Sequence, residues 1–96
     1  MFGFETSNKA IVPLLEQIKN NKEGEKLTHK EVRAYARLML NMLPALVLDD
    51  EKEINFLLAA ISSSGLPHYD RSFAAEQILK LLEQEEKRNL NTPSGF

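Results

Sequence analysis

The chain has 96 residues, 43% of them apolar and 27% charged, and it contains no cysteine. This size and composition predict one domain, residues 1–96, with a single core, and they exclude an intrinsically disordered chain. Disulfide scaffolds, thiolate zinc sites and cysteine nucleophiles are excluded as well. The net charge of −2 is unevenly divided, because residues 1–48 carry 7 basic and 5 acidic residues and residues 49–96 carry 5 and 9.

Residues 1–9 have neither the basic leader nor the apolar run of a secretory signal. The longest apolar run, residues 38–48, is interrupted by Asn41 and Pro44 and has about half the length that a membrane span needs. We therefore expect a soluble protein of the cytoplasm without a transmembrane segment.

The first helix is predicted over about residues 9–22, because apolar side chains recur there every three or four residues. These positions are Ile11, Leu14, Leu15 and Ile18. Gly24 offers a stop beyond the helix. Pro13 is tolerated in a first turn, where backbone N–H groups have no helical partner, so we expect the helix to begin close to it.

The second helix is predicted from Thr28 to about Leu43. Thr28 and Glu31 have the spacing of a capping box, in which each side chain accepts a hydrogen bond from the other residue's backbone N–H. Pro44 lacks an N–H and its ring would clash with the carbonyl of Leu40, so a kink or break is expected there.

Residues 32–48 are apolar on nearly every side of a helix. The other residues of the stretch are Arg33, Arg37, Asn41 and Pro44. This pattern is typical of a helix surrounded by others, or of one that offers a face to a partner. We expect a central second helix, with an interface for a partner protein or a second copy (a homodimer) at Leu40, Pro44 and Val47.

The third helix is predicted to begin with Asp49 or Asp50 as its N-cap, and Asp50 has the capping-box spacing with Glu53. Its apolar stripe is Ile54, Leu57, Leu58 and Ile61. Gly65 follows this stripe, at a place where a left-handed residue is expected to end the helix.

The fourth helix is predicted to begin with a cap at Asp70 or Ser72. Its buried stripe is expected to be Ala74, Ile78, Leu81 and Leu82. Residues from about 90 to 96 have the composition of a mobile tail. With short connections and no alternating strand pattern, the chain is predicted to be an all-α protein, a compact four-helix bundle.

The residues that carry reactive groups form no known catalytic or metal-binding motif. The acidic cluster lacks the alternating ligands and central glycine of a calcium loop, so we interpret it as helix-capping. Its members are Asp49, Asp50, Glu51 and Glu53. His29 and His68 do not have zinc-ligand spacing, and we interpret each as an exposed residue at a helix end. We predict no metal, no cofactor and no enzymatic activity.

A basic stripe lies along the second helix and the residues before it. Its members are Lys26, Lys30, Arg33 and Arg37. Their spacing places them on one side of the helix, where they could bind nucleic-acid phosphates. The isoelectric point of about 5.7 favours instead a solvated face that is balanced by the acids of the later helices.

These features favour a small non-enzymatic binding protein, namely an immunity protein, inhibitor, anti-activator or adaptor that docks a protein partner. The expected plan resembles that of the cytosolic immunity proteins that guard against small bacteriocins, which are helical bundles of similar length. The resemblance is one of architecture and includes no motif, and this chain differs in its acidic balance. It implies a bacterial or phage protein. A nucleic-acid-binding regulator that uses the basic stripe is the alternative.

Overall fold

The computed structural model describes residues 2–43 and 50–91, and their side chains over residues 10–43 and 50–85. These residues form four helices and no strand. The helices are α1 (Phe2–Lys19), α2 (His29–Met42), α3 (Glu51–Ser62) and α4 (His68–Asn91). The predicted all-α fold of four helices is confirmed.

Two predictions concern parts of the chain outside the described residues, namely the kink near Pro44 and the tail over residues 92–96. α4 continues to Asn91, close to the predicted start of the tail at about residue 90. The sequence of α4 after Leu82 contains strong helix formers and reaches no proline before Pro93, so the helix has no local reason to end sooner.

α3 and α4 lie between the other two helices. α4 packs against α1 and against α3, whereas α2 packs mainly on α3 and makes little contact with α1. The expectation of a central second helix is therefore wrong. α2 as described ends at Met42 and buries one face, with Val32, Ala36 and Met39.

The core lies between these packed helices. Its buried apolar residues are Ile11, Leu15, Ile18, Val32, Ala36, Met39, Leu43, Ile54, Leu58, Ile61, Ala74, Ala75, Ile78 and Leu82. The predicted stripes are confirmed, although Leu14, Leu57 and Leu81 are half-buried and pack at the edge of this core.

The start of α2 has the predicted capping box. Oγ1 of Thr28 accepts a hydrogen bond from the backbone N–H of Glu31 at 3.1 Å, and Oε1 of Glu31 accepts one from the N–H of Thr28 at 2.9 Å. Both residues are exposed. Residues close in sequence therefore satisfy the first N–H groups of this helix.

α1 begins at Phe2 and ends at Lys19, so both predicted bounds are wrong. Pro13 lies in the interior of the helix rather than in its first turn. Its ring is exposed, so water can reach the carbonyl that the missing N–H leaves without a helical donor. α1 packs along α4, and such packing between distant helices is not visible in the local sequence.

α4 begins at His68 and not with a cap at Asp70 or Ser72. The carbonyl of Pro67 accepts a hydrogen bond from the backbone N–H of Arg71 at 3.1 Å, which starts the helix directly after the proline. Asp70 thus lies inside the first turn, where an acidic side chain suits the helix dipole.

The predicted capping box at the start of α3 is also wrong. The side chain of Asp50 makes no capping hydrogen bond with the helix. The backbone N–H of Asp50 donates instead to Oε2 of Glu85 at 2.9 Å. A buried carboxylate from α4 therefore takes the place that the prediction assigned to Glu53.

Candidate functional site

Buried polar side chains gather at one end of the bundle, where α1 and α3 end and α2 and α4 begin. We call this the polar end. Asn21, Arg71 and Ser72 are all buried there. Because buried polar groups need hydrogen-bond partners, the partners of these three residues define the site.

Arg71 is only 1% exposed and links α4 to α3 and α2. Its Nε donates to the carbonyl of Ile61 at 2.9 Å, and its Nη2 donates to the carbonyl of Ser63 at 2.7 Å. Its Nη1 donates to Nδ1 of His29. The last carbonyls of a helix have no partner within the helix and form the negative end of its dipole, so Arg71 caps α3 from a neighbouring helix.

Arg33 and Ser72 cap further carbonyls at the polar end. Nε of Arg33 donates to the carbonyl of Ser62 at 3.2 Å, so guanidinium groups from α2 and α4 serve consecutive carbonyls of α3. The hydroxyl of Ser72 donates to the carbonyl of Lys19 at 2.5 Å, at the end of α1. The first turns of α4 therefore hold the ends of both α1 and α3.

The buried Asn21 organises the loop between α1 and α2. Its Oδ1 accepts hydrogen bonds from the backbone N–H groups of Lys26 and Leu27 at 2.9 and 2.8 Å, and its Nδ2 donates to the carbonyl of Leu27 at 3.0 Å. Nδ2 also lies 3.3 Å from Nδ1 of His68. Backbone N–H groups can only donate, so they settle the orientation of the amide, and its NH2 group is the donor to His68.

The rings of His29 and His68 stack, with centroids 3.7 Å apart and planes inclined by 17°. Nδ1 of His68 accepts from Asn21, and Nδ1 of His29 accepts from Arg71, because a guanidinium can only donate. The neutral His68 ring therefore carries its proton on Nε2. We call these four residues the histidine cluster. His29 is exposed at the start of α2, as expected, and His68 also stands at a helix start, but the interpretation of His68 as exposed is wrong because it is half-buried against His29.

Gly24 lets the loop lie directly against the His68 ring. Its φ of +73° is in the left-handed region that favours glycine. A Cβ at this position would lie 2.6 Å from Nε2 of His68. The predicted role of Gly24 as a helix stop is wrong, because α1 already ends at Lys19.

Burial lowers the pKa of His68, and electrostatic repulsion from His29 and then Arg71 lowers it further. Burial also lowers the pKa of Arg71, with repulsion from Arg33 as the second cause. An arginine keeps its proton in a protein, so Arg71 remains a cation. The cluster therefore combines a permanent positive charge with a histidine that favours its neutral form.

The sequence carries a signal for the two buried charges of α4. Arg71, Ala75, Ile78, Leu82 and Glu85 follow one another at spacings of 4, 3, 4 and 3, so a charge stands at each end of the apolar stripe. Charged residues are rarely buried unless they are paired, so a charge in register with a stripe indicates a partner in the fold.

The structure divides the basic stripe. Lys26, Lys30 and Arg37 are exposed, while Arg33 is half-buried and donates to the carbonyl of Ser62. One of the four cations is therefore engaged in capping α3. A nucleic-acid site at this stripe stays a prediction.

The predicted partner surface can be examined at one of its three residues. Leu40 is half-buried and packs against the core. Pro44 and Val47 lie outside the described residues. An interface at these residues stays a prediction.

Large apolar side chains are exposed elsewhere on the described surface. They are Phe56 at 72%, Tyr69 at 65%, Phe73 at 59% and Leu38 at 50%. Tyr69 and Phe73 are one turn apart on the same side of α4. Phe56 on α3 is two residues from both Ile54 and Leu58, which are buried, so it points away from the core.

A scan against protein-family models and searches of curated proteins and of solved structures found no match for this chain. None of the described helices has the length and apolar character needed to cross a membrane. Within the same residues, no group of three or more histidine or acidic side chains is placed to hold a metal ion.

Proposed function

We propose that this chain is a small helical binding protein of the cytoplasm, which docks a protein partner and catalyses no reaction. Its docking surface in this proposal is the aromatic face, formed by Phe56 of α3 and by Tyr69 and Phe73 of α4. The observation that carries the proposal is the exposure of these three side chains on two helices that pack together. Aromatic residues are enriched in protein interfaces, and exposed apolar patches mark interaction sites.

The acidic balance of residues 50–85, which include the aromatic face, favours a basic partner. Residues 50–85 contain seven acidic and three basic residues. One of the basic residues, Arg71, is buried, and another, Lys80, lies 3.8 Å from Glu76. A partner with an apolar hollow rimmed by lysine or arginine would meet opposite charge, which speeds association and excludes wrong partners. An inhibitor, immunity protein, anti-activator or adaptor works by such docking.

A photo-crosslinking amino acid placed at position 73, and separately at position 56, tests the proposal in the cells that make the protein. We expect a protein adduct of one defined mass from both positions. Position 34, an exposed alanine on α2, is the matched control and should yield no adduct. The crosslinked peptide of the partner should be rich in lysine or arginine, and Tyr69→Ser should weaken binding of the purified partner at least about tenfold.

Other outcomes would contradict the proposal. Equal adducts from all three positions would mean that the aromatic face has no specific partner. An adduct of two copies of the chain would assign the face to a homodimer. Crosslinking to nucleic acid, with binding that falls steeply with salt and is lost in the double variant Arg33→Glu and Arg37→Glu, would support the regulator instead.

A further inference from the structure

The histidine cluster joins parts of the bundle whose helices make little direct contact. α1 and α2 hardly touch each other. At the polar end, the loop over residues 20–28 is attached to α4 through the hydrogen bond between Asn21 and His68. The start of α2 is attached to α4 through the stack of His29 on His68. The ring of His68 therefore takes part in both attachments.

We infer that the histidine cluster is an acid-sensitive latch, in which protonation of His68 detaches the loop over residues 20–28 and the start of α2 from α4. The neutral ring holds its proton on Nε2 and accepts from Asn21 at Nδ1. A second proton, taken from solvent, must therefore bind at Nδ1. This proton would face the N–H of Asn21, so two donors would meet where a hydrogen bond had been.

The same proton weakens the stack. A cationic His68 ring would lie 3.7 Å from His29, which itself lies against the permanent charge of Arg71. His68 and His29 are the first residues of α4 and α2, and positive charge is unfavourable at the N-terminal end of a helix. Protonation therefore opposes both attachments at once.

The charges that act on His68 include no carboxylate that would stabilise its cation. After burial, His29 of α2 and Arg71 of α4 are the groups that lower the pKa of His68. Arg33 of α2 acts in turn on Arg71. All three groups disfavour further positive charge.

The other elements at this end offer neutral groups to the cluster, and the lysines of the loop, Lys22 and Lys26, are exposed to solvent. α3 offers the carbonyls of Ile61 and Ser63 to Arg71, α1 offers the carbonyl of Lys19 to Ser72, and the loop offers the Asn21 amide. The carboxylates of the loop and of the first helical turns are exposed to solvent. They are Glu23, Glu25, Glu31 and Asp70.

The direction of the pKa shift gives the direction of the switch. The unfolded chain takes up a proton at His68 near the ordinary histidine pKa of about 6.5, whereas the folded chain takes it up at a lower pH. The contribution of the latch to stability is therefore fully present above about pH 6.5, and it is lost as the pH falls through the lowered pKa of the folded state.

The test measures amide hydrogen exchange of the full chain between pH 7.5 and 5, expressed as protection relative to the intrinsic rate at each pH. We expect protection of the Lys26 and Leu27 amides, which both bind Asn21, to fall at least about tenfold while core amides of α3 keep theirs. This fall should follow the titration of His68, read from the chemical shifts of its ring nitrogens.

Two variants separate the latch from a general effect of acid. His68→Phe keeps a ring that can stack on His29 but takes up no proton, so the loss of protection at Lys26 and Leu27 should vanish. His29→Phe is the matched control, and it should keep the pH dependence because His68 still titrates. The latch is overturned if His68→Phe loses protection at the same pH as the natural chain. It is also overturned if His68 of the natural chain titrates without any change in protection, a result that requires no variant to fold.

Discussion

The two ends of α3 are held by opposite charges from the same neighbouring helix. At the start, the carboxylate of Glu85 accepts from the backbone N–H of Asp50, and at the end the guanidinium of Arg71 donates to the carbonyls of Ile61 and Ser63. The two charged residues are 14 positions apart, or about four turns, so they lie on one side of α4. Each charge meets the end of the α3 dipole that it stabilises.

The ends differ in how many groups each charge serves. Within the described residues Glu85 receives one backbone N–H, whereas Arg71 serves two carbonyls and the ring of His29. Removing a buried group costs most where several partners are left without a hydrogen bond. The comparison therefore predicts that α3 is anchored more firmly at the polar end than at its start.

A substitution in the buried middle of α3 gives the loss of stability against which substitutions at its two ends can be compared. Leu58→Ala removes a fully buried side chain and should lower the free energy of unfolding by about 2 to 5 kcal/mol. Leu81→Ala on α4 is the control, and it should cost less because that side chain is half-buried. Urea unfolding followed by circular dichroism measures both variants. If the two variants lost the same free energy of unfolding, Leu58 would not be more deeply buried than Leu81.

Arg71→Met should be the next most costly change. It keeps most of the apolar stem of the side chain but leaves the carbonyls of Ile61 and Ser63 without their donor, at a cost of about 2 to 4 kcal/mol. Arg71→Lys keeps the positive charge but lacks the planar guanidinium. Its free energy of unfolding should lie between those of the natural chain and of Arg71→Met. Arg33→Met, which removes one donor to α3, should cost about 1 kcal/mol. If the two methionine variants were equally stable, the greater importance of Arg71 would be refuted.

Glu85→Ala tests the other end and should cost about 1 to 3 kcal/mol, because the N–H of Asp50 loses its acceptor and the start of α3 loses a negative charge. Glu85→Gln keeps an acceptor oxygen and should cost less. Gln84→Ala, at the exposed neighbouring position, should stay within about 0.5 kcal/mol of the natural chain. Urea unfolding measures these variants as well. If Glu85→Ala lowered the free energy of unfolding no more than Gln84→Ala does, the start of α3 would not depend on the carboxylate of Glu85.

Gly24→Ala disturbs the polar end alone and leaves the start of α3 unchanged. Gly24 and Gly65 both have positive φ, so alanine at either position should cost about 1 kcal/mol from backbone strain. The new Cβ at position 24 would also clash with the His68 ring. A Cβ at position 65 would have no atom within 4 Å. We expect the larger loss for Gly24→Ala, together with a shift of the His68 ring resonances. Identical losses and unmoved resonances would rule out the close contact.

The chain contains two capping-box patterns, and they show when a local sequence pattern predicts the start of a helix correctly. Thr28 with Glu31 forms the predicted box, because both partners lie within one turn and are exposed. Asp50 with Glu53 has the same spacing, yet Glu85 of α4 accepts the N–H of Asp50 instead. A local pattern is realised where no distant group competes for its donors.

The candidate site is less visible in the sequence than the helices are. His29 and His68 each stand beside helix-start residues, and nothing near either one indicates the other. Arg71 and Glu85 do stand out as charges in register with the apolar stripe of α4. This register indicates that they have partners in the fold, but it does not identify those partners. Those partners are backbone groups of α3, which carry no sequence signal because every residue has them.

The sequence by itself determined that the chain is helical, which faces of the helices are apolar and how α2 begins, because these depend on periodicity and on hydrogen bonds within a turn or two. The order in which the helices pack, with α3 and α4 between α1 and α2, and the stack of His68 on His29 appear only in the folded chain. The physical reason is that a polar group can be buried only beside its partner. Here most of those partners belong to other helices.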